Sequence, residues 1–242
     1  MDPPATVLEA LADREVENRR VLEAGAGVGN GTAGLLDAGA RSVFAITNER
    51  DHARTVRDRP DPAGRVRTAV LEADLRAIPL PDDTVDLVFA HALLGVVEPA
   101  ALPGIVSELT RVATPSASLV VDEYEPIPRR APLRRLFAVE NAAAELATGR
   151  PALSFYPAAL VRRIFAGYGW EVERERTLLD PVPWDERLLA EHLDVIRGFR
   201  PDLPAPIGGA LVEEAARLVD EIGAIETGEM YSVAFRRRSA NL

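Results

Sequence analysis

Short apolar runs alternate with longer amphipathic stretches through the first half of the chain. The runs are rich in β-branched and aromatic residues and predict five strands, at Arg19–Glu23, Arg41–Ile46, Val66–Leu71, Val85–Phe89 and Ser118–Val121. The stretches between them predict helices at Gly31–Ala38, Arg50–Arg57 and Ala101–Val112. Strands that alternate with helices in this way indicate an α/β protein with a mostly parallel sheet covered on both faces.

The second half has a less regular pattern. It predicts four helices, at Leu133–Ala147, Ala158–Ala166, Pro181–Pro206 and Ile207–Ile222. Two further strands are predicted, at Trp170–Leu178 and Glu229–Arg236. The first alternates apolar and charged residues, as a strand near the edge of a sheet does. The length of 242 residues fits one domain, because a single core stops growing at roughly 250–300 residues.

The composition excludes several classes of function. The chain has 28 basic and 38 acidic residues, a net charge of −10, which makes nucleic acid an unlikely partner because phosphate backbones are repelled. Cysteine is absent, so disulfides, thiolate catalysis and cysteine-ligated zinc are excluded. The three histidines, His52, His91 and His192, are far apart in sequence, and no metal site is predicted.

The same pattern bears on where the protein works. No apolar run reaches the roughly 18 residues of a membrane span, and the N-terminus is acidic, so we expect no membrane association, no signal peptide and a cytoplasmic location. Every basic residue is arginine. An arginine-only, acidic chain is compatible with a GC-rich coding bias and with a halophilic cytosol, and the sequence leaves both open.

The most informative segment is Val21–Thr32, VLEAGAGVGNGT, in which a predicted strand runs through a glycine-rich turn into a helix. Glycine at such a turn lets a ligand approach the backbone with no Cβ in the way. A phosphate-binding P-loop is excluded, since the chain has no lysine. The dinucleotide fingerprint requires a glycine where Asn30 stands, which disfavours an NAD-dependent oxidoreductase.

This segment resembles motif I of the class I S-adenosylmethionine-dependent methyltransferases. Ala73–Asp83 is similar to the acidic segment that follows strand three in that family, and Val85–Ala90 is similar to its fourth strand. The resemblance covers residues 19–123. It implies a Rossmann-like, seven-stranded, mostly parallel sheet with helices on both faces and a helical cap from the C-terminal half.

The resemblance also implies a function and a division of the chain 1–242. The expected cofactor is S-adenosyl-L-methionine and the expected acceptor is a small molecule. Residues 19–123 would form the cofactor-binding half, and insertions at 124–156 and 179–227 would form a substrate lid. The aromatic residues of these insertions would be wall residues of that lid or ordinary core residues, namely Phe137, Phe155, Tyr156 and Trp184. The alternative is a non-catalytic cofactor- or partner-binding protein on the same fold.

The resemblance assigns cofactor-binding roles to residues of four segments. They are Glu23, Ala24, Gly25, Ala26, Gly27 and Gly29 of the glycine turn, Thr47, Asn48 and Glu49 after strand two, Asp74 and Leu75 after strand three, and His91. Glu23 would attract the ligand ammonium, Glu49 or Thr47 would bind the ribose hydroxyls, and Asp74 would accept from the adenine amino group. Each of the three acids also has a structural alternative. Glu23 could be a solvated charge at a strand end, Glu49 an acid in the first turn of a helix, and Asp74 a turn residue.

Candidate catalytic residues lie at the expected ligand edge of the sheet. His91 follows the fourth predicted strand and could be a general base, or could only position the cofactor or cap a turn. Asp122, Glu123 and Tyr156 are further candidates, although acids after a strand are most often solvated. The cluster Arg129, Arg130, Arg134 and Arg135 could bind a substrate anion or pair with Glu140 and other acids.

Overall fold

The computed structural model describes residues 3–59 and 67–238. Its strands are β1 (Arg20–Ala24), β2 (Ser42–Thr47), β3 (Thr68–Glu72), β4 (Val85–His91), β5 (Ala113–Tyr124), β6 (Trp170–Leu179), β7 (Pro183–Trp184), β8 (Ile225–Glu226) and β9 (Met230–Arg237). Its helices are α1 (Ala5–Leu11), α2 (Asn30–Asp37), α3 (Arg50–Arg57), α4 (Leu102–Val112), α5 (Leu133–Thr148), α6 (Ala158–Ala166), α7 (Glu186–Phe199) and α8 (Ala205–Ile222).

The described strands form one seven-stranded sheet in the order β3-β2-β1-β4-β5-β9-β6 and a small β7-β8 pair. In the large sheet β9 runs antiparallel to both of its neighbours, and the pairs from β3 to β5 are parallel. The order reverses at β1, with β2 on one side and β4 on the other. The predicted Rossmann-like, mostly parallel sheet is confirmed, and β6 is the edge strand that its alternating pattern predicted.

Sequence reasoning misplaced several element ends. The strand β4 continues to His91, which is its last residue rather than the residue that follows it, because the ladder runs on to the pair His91–Asp122. The strand β5 extends beyond the apolar run Ser118–Val121 at both ends for the same reason. The predicted helix Pro181–Pro206 is wrong at its start, where β7 precedes α7. Helix α1 was not predicted, and Val66 lies outside the described residues.

Apolar side chains on the two faces of the sheet form separate clusters, because successive residues of a strand point to opposite faces. Leu22 and Val88 pack with helices α4 and α6 on one face. Val21 and Leu87, their chain neighbours, pack with α1 and α2 on the other. Within residues 3–59 and 67–238, no helix is long and apolar enough to cross a membrane.

A third cluster lies in the C-terminal half, where α5, α7 and α8 pack on one another and on the β7-β8 pair. We call this unit the cap, and it confirms the predicted helical cap. Phe137 stacks on Phe155 with ring centroids 5.4 Å apart and meets Trp184 edge-on at the same distance. These three predicted lid residues therefore form the interior of the cap rather than the wall of a substrate site.

Candidate active site

A cavity of about 580 Å³ lies where the carboxyl ends of β1, β2, β3 and β4 meet the cap. This is the point at which the strand order reverses, and ligands of open α/β sheets bind in that crevice. Eight of the predicted cofactor residues line it, namely Gly25, Gly27, Thr47, Asn48, Glu49, Asp74, Leu75 and His91. A smaller cavity, near Asp86 and Ser118 at the opposite end of the sheet, is lined largely by arginines and carboxylates that pair with each other.

The glycine turn after β1 has one covered face and one open face. Gly25 and Gly27 have φ values of +76° and +48°, in the left-handed region that glycine tolerates best. A Cβ on Gly25 would lie 2.6 Å from Leu93 Cδ1, so that residue is packed against its neighbour. A Cβ on Gly27 would have no described atom within 4 Å. The turn therefore presents bare backbone to the cavity at Gly27, as a closely approaching ligand requires.

Glu23 lies behind this turn. It is only 3% exposed, and its carboxylate accepts hydrogen bonds from the Thr32 backbone N–H, at 2.9 Å, and from the Thr32 hydroxyl. Burial raises the pKa of the Glu23 carboxyl to about 7, although the bonds from Thr32 act in the opposite direction. These hydrogen bonds link the start of α2 to the end of β1. Because Glu23 is not among the cavity-lining residues, the structure does not place it for a direct contact with a ligand ammonium. Ala24, Ala26 and Gly29 also lie off the wall.

The end of β2 supplies an exposed carboxylate. Thr47 is buried, and its hydroxyl oxygen accepts the backbone N–H of Glu49 at 3.1 Å, which shapes the turn into α3. Glu49 occupies the N-cap position of α3 without a side-chain capping bond and lines the cavity. His52 lines the cavity three residues later and was missed; its only sequence signal was the spacing that places it on the same helix face as Glu49.

The segment after β3 carries an ion pair on the cavity wall. The Arg76 guanidinium binds both oxygens of Asp74, with Nη2 2.6 Å from Oδ2, and the Arg76 backbone N–H donates to Oδ1 at 2.8 Å. These hydrogen bonds lower the pKa of the Asp74 carboxyl to about 2. Oδ1 accepts from the Arg76 backbone N–H and from Nε, and Oδ2 accepts from Nε and Nη2, so a ligand amino group next to Leu75 would compete with Arg76 for Asp74.

His91 and Asp122 form a hydrogen-bonded pair across β4 and β5. His91 Nδ1 is 2.9 Å from Asp122 Oδ2; the carboxylate side chain is fully buried, and the imidazole is 21% exposed and lines the cavity. A carboxylate that accepts from Nδ1–H fixes the tautomer in which Nε2 carries a lone pair. The imidazole also stacks on Phe89, with centroids 5.8 Å apart. Such a pair has the arrangement of a general base held by an acid.

The other catalytic candidates lie off the cavity wall. Glu123 points to the opposite sheet face from Asp122 and accepts hydrogen bonds from the backbone N–H groups of Leu94 and Gly95. Tyr156 packs against the sheet core, and its carbonyl oxygen accepts the Tyr231 hydroxyl at 2.5 Å. The geometry thus gives neither residue a place beside a bound acceptor.

The arginine cluster lies on the cap. Arg135 lies 3.5 Å from Glu214 and 3.6 Å from Glu221, which fits the surface-pairing alternative. Glu140, the other expected partner, is buried and bonds His192 at 2.7 Å instead. Sequence reasoning also missed the cavity wall that the cap supplies, which includes Ala144, Thr148, Arg150, Pro151, Ala152 and Phe199. These positions carry no local motif and meet the sheet only through tertiary packing.

The fold and site together define the class of protein: a seven-stranded sheet with one antiparallel strand, and a glycine turn that opens on the crevice at its reversal point, make up the class I S-adenosylmethionine-dependent methyltransferase fold. Residues 21–116 match a family described as "Methyltransferase domain". A malonyl-[acyl-carrier protein] O-methyltransferase of Halorhodospira halophila is 36% identical over 121 residues. That match covers 50% of this chain and 40% of the relative, so the chain aligns with less than half of that protein's length.

Solved structures of low identity share the fold. A SAM-dependent methyltransferase of Aquifex aeolicus gives a TM-score of 0.58 at 19% identity, over 98% of this chain and 94% of its own. Mycolic acid cyclopropane synthase, complexed with SAH and CTAB, gives a TM-score of 0.63 at 13% identity, and the match covers 96% of this chain and 83% of the synthase. A [4+2]-cyclase, SpnF, gives a TM-score of 0.65 at 16% identity, and the match covers 98% of this chain and 81% of the cyclase.

Proposed function

We propose that the protein is an S-adenosylmethionine-dependent methyltransferase that acts on a small-molecule acceptor. The observation that carries the proposal is the bare backbone of Gly27, which opens on a cavity of about 580 Å³. The residues around it fit the donor: Glu49 offers a carboxylate to the ribose hydroxyls, and Asp74 and Leu75 offer an acceptor and a backbone N–H to adenine. The donor, when bound, supplies a methyl group from its sulfonium.

The protein's own chemical contribution is to orient the acceptor and to remove its proton. His91 Nε2 would take the proton from a hydroxyl or amine of the acceptor as that atom bonds to the methyl group, and the methyl–sulfur bond breaks. Asp122, buried beside Nδ1, stabilises the imidazolium that forms. A positioned base of this kind contributes roughly 10²–10⁴-fold to the rate. Tyr156 is not among the residues that line the cavity.

The cap supports a small acceptor rather than a macromolecule. Residues of α5, of the loop after it and of α7 close one side of the cavity, and Arg150 and Glu98, which pair at 3.5 Å, both line it. We therefore propose one methyltransferase domain, in which the cofactor half and the cap share this cavity. The relative's name specifies a carrier-bound malonyl acceptor, which makes a carboxylate-bearing small molecule a sensible first probe.

Calorimetry with S-adenosylmethionine and S-adenosylhomocysteine tests the proposal. We expect one-to-one binding of both by the wild-type protein. Gly27→Ala should weaken binding at least about tenfold, because a methyl group would occupy the space that the ligand needs, although it meets no protein atom. Gly169→Ala is the matched control: Gly169 also has a positive φ, +85°, and open space around its Cβ position, but lies between α6 and β6, off the cavity.

Three outcomes are informative. Weakened binding in Gly27→Ala alone supports the site. Equal affinity in both variants and the wild type contradicts it. If the wild-type protein binds neither compound, only the non-catalytic, partner-binding alternative on the same fold is left.

A further inference from the structure

Two consecutive carboxylates, Asp122 and Glu123, lie near the C-terminal end of β5, and they point to opposite faces of the sheet. Asp122 meets His91, whereas Glu123 faces the turn that follows β4. Glu123 is only 3% exposed, and it is not a cavity-lining residue. A buried carboxylate is retained only where it is hydrogen-bonded, so its partners indicate what it does.

The partners of Glu123 are backbone groups of the turn. The N–H of Leu94 and the N–H of Gly95, the latter at 3.3 Å, both donate to Glu123 Oε1. The Gly95 carbonyl oxygen in turn accepts the N–H of Ser154, at 2.7 Å, from the loop that follows α5. A Cβ on Gly95 would lie 3.0 Å from the Ser154 carbonyl oxygen and 3.3 Å from Glu123 Oε2, so these three residues are packed without spare room.

Both connected segments are walls of the cavity. Leu93 and Val96 flank the turn's hydrogen-bonded residues and line the cavity from the sheet side. Pro151 and Ala152 line it from the cap, just before Ser154. Leu93 also covers Gly25 of the glycine turn. The backbone groups that bind Glu123 therefore connect the glycine turn after β1, the C-terminal end of β4 and the loop that follows α5.

We infer that Glu123 is a positioning residue that holds the acceptor side of the cavity in shape, by fixing the turn at 94–96 and, through Gly95, the cap loop that ends at Ser154. This role does not require contact with a ligand. The inference rests on the proposed function only in taking this cavity as the methyl-transfer site.

The surroundings of Glu123 make the connection dependent on pH. Burial raises the pKa of its carboxyl from 4.5 to about 7, and the charge of Asp122 adds to the rise, while the N–H donors and His91 oppose it. Tyr156, from the segment between α5 and α6, and Tyr231, from β9, also face it, and burial together with the charge of Glu123 raises the pKa of each phenol. A carboxyl with a raised pKa favours the closed turn most at low pH, and the advantage is lost as pH rises from 4.5 to about 7.

Hydrogen–deuterium exchange of the full chain tests the inference, on peptides that cover 93–97 and 151–156. After correction for intrinsic rates, protection of both should fall by up to about tenfold per pH unit between pH 5.5 and 6.5, and level off above pH 7. Glu123→Gln keeps an acceptor oxygen for both N–H groups, so it should stay protected and lose the pH dependence. Glu123→Ala should lose at least about tenfold protection in both segments together.

Glu125→Gln and Glu125→Ala are the matched controls. Glu125 is the next acid along the chain, two residues after Glu123, and it too accepts a backbone N–H, that of Ala158 at 2.9 Å, at the start of α6. Its variants should change exchange only around α6. If Glu123→Ala leaves 151–156 protected, or if the wild-type profile is flat and matches Glu123→Gln, the inference is overturned.

The experiment does not depend on a single variant or on ligand binding. Should Glu123→Ala fail to fold, the wild-type pH profile and Glu123→Gln still decide the question. The exchange is measured with and without S-adenosylhomocysteine. A protein that does not bind this compound would refute the proposed function, while the exchange without it would still show whether Glu123 holds the two segments.

Discussion

The residues that carry chemistry are divided between those that face the cavity and those that hold others in place. His91 and Glu49 reach the cavity, whereas Asp122, Glu123 and Glu23 are buried behind it. Sequence patterns place all five at strand ends. They do not distinguish the two groups, because a register shift of one residue exchanges the faces of a strand.

The histidine–acid pair gives a prediction at this scale. Asp122→Ala should change the neutral His91 imidazole from the Nδ1–H tautomer to a mixture, since the carboxylate that accepts from Nδ1 is gone. Nitrogen-15 NMR reports the tautomer, and three histidines give a readily assigned spectrum. Glu140→Ala, which removes the other such carboxylate, 2.7 Å from His192, should change only His192. An unaltered His91 signal in Asp122→Ala would show that the pair does not form.

At the scale of elements, one arginine joins helix α4 to the segment that carries Asp74. Arg111 donates to the carbonyl oxygens of Ile78 and Leu80, each at 2.9 Å, and pairs with Glu108 and Asp82. Glu108 also accepts the Ile78 N–H at 2.9 Å. The acidic segment after β3 is thus held to the helix by a planar, multiply bonded guanidinium that a lysine cannot reproduce.

Arg111→Lys should therefore lower the free energy of unfolding by about 1–2 kcal/mol, because carbonyl groups next to the core lose their donors. Urea denaturation measures the change. Arg217→Lys is the control: Arg217 pairs with Glu214 and Glu221 on the exposed face of α8, has no such backbone partners, and should give no measurable change. Equal effects of the two substitutions would show that the carbonyl contacts contribute nothing.

Across the whole molecule, the sequence predicts the sheet better than the cap. Strands with apolar runs such as Val85–Phe89 are recognisable because both faces of the sheet are covered, and their order follows from the alternation with helices. The inward position of Phe137 and the cavity contacts of Phe199 depend on how α5 and α7 pack, which no local pattern encodes. The sheet side of the cavity was therefore predictable from the sequence, and the cap side was not.

The proposed function requires that the methyl donor bind in the cavity at the carboxyl end of the sheet. A crystal structure of the protein with S-adenosylhomocysteine tests this most directly. We expect the ligand over Gly27, with its ribose at Glu49, its adenine at Asp74 and Leu75, and its sulfur on the side of His91. Density for the ligand anywhere else, or a glycine turn that is filled by protein atoms in the crystal, would contradict the account.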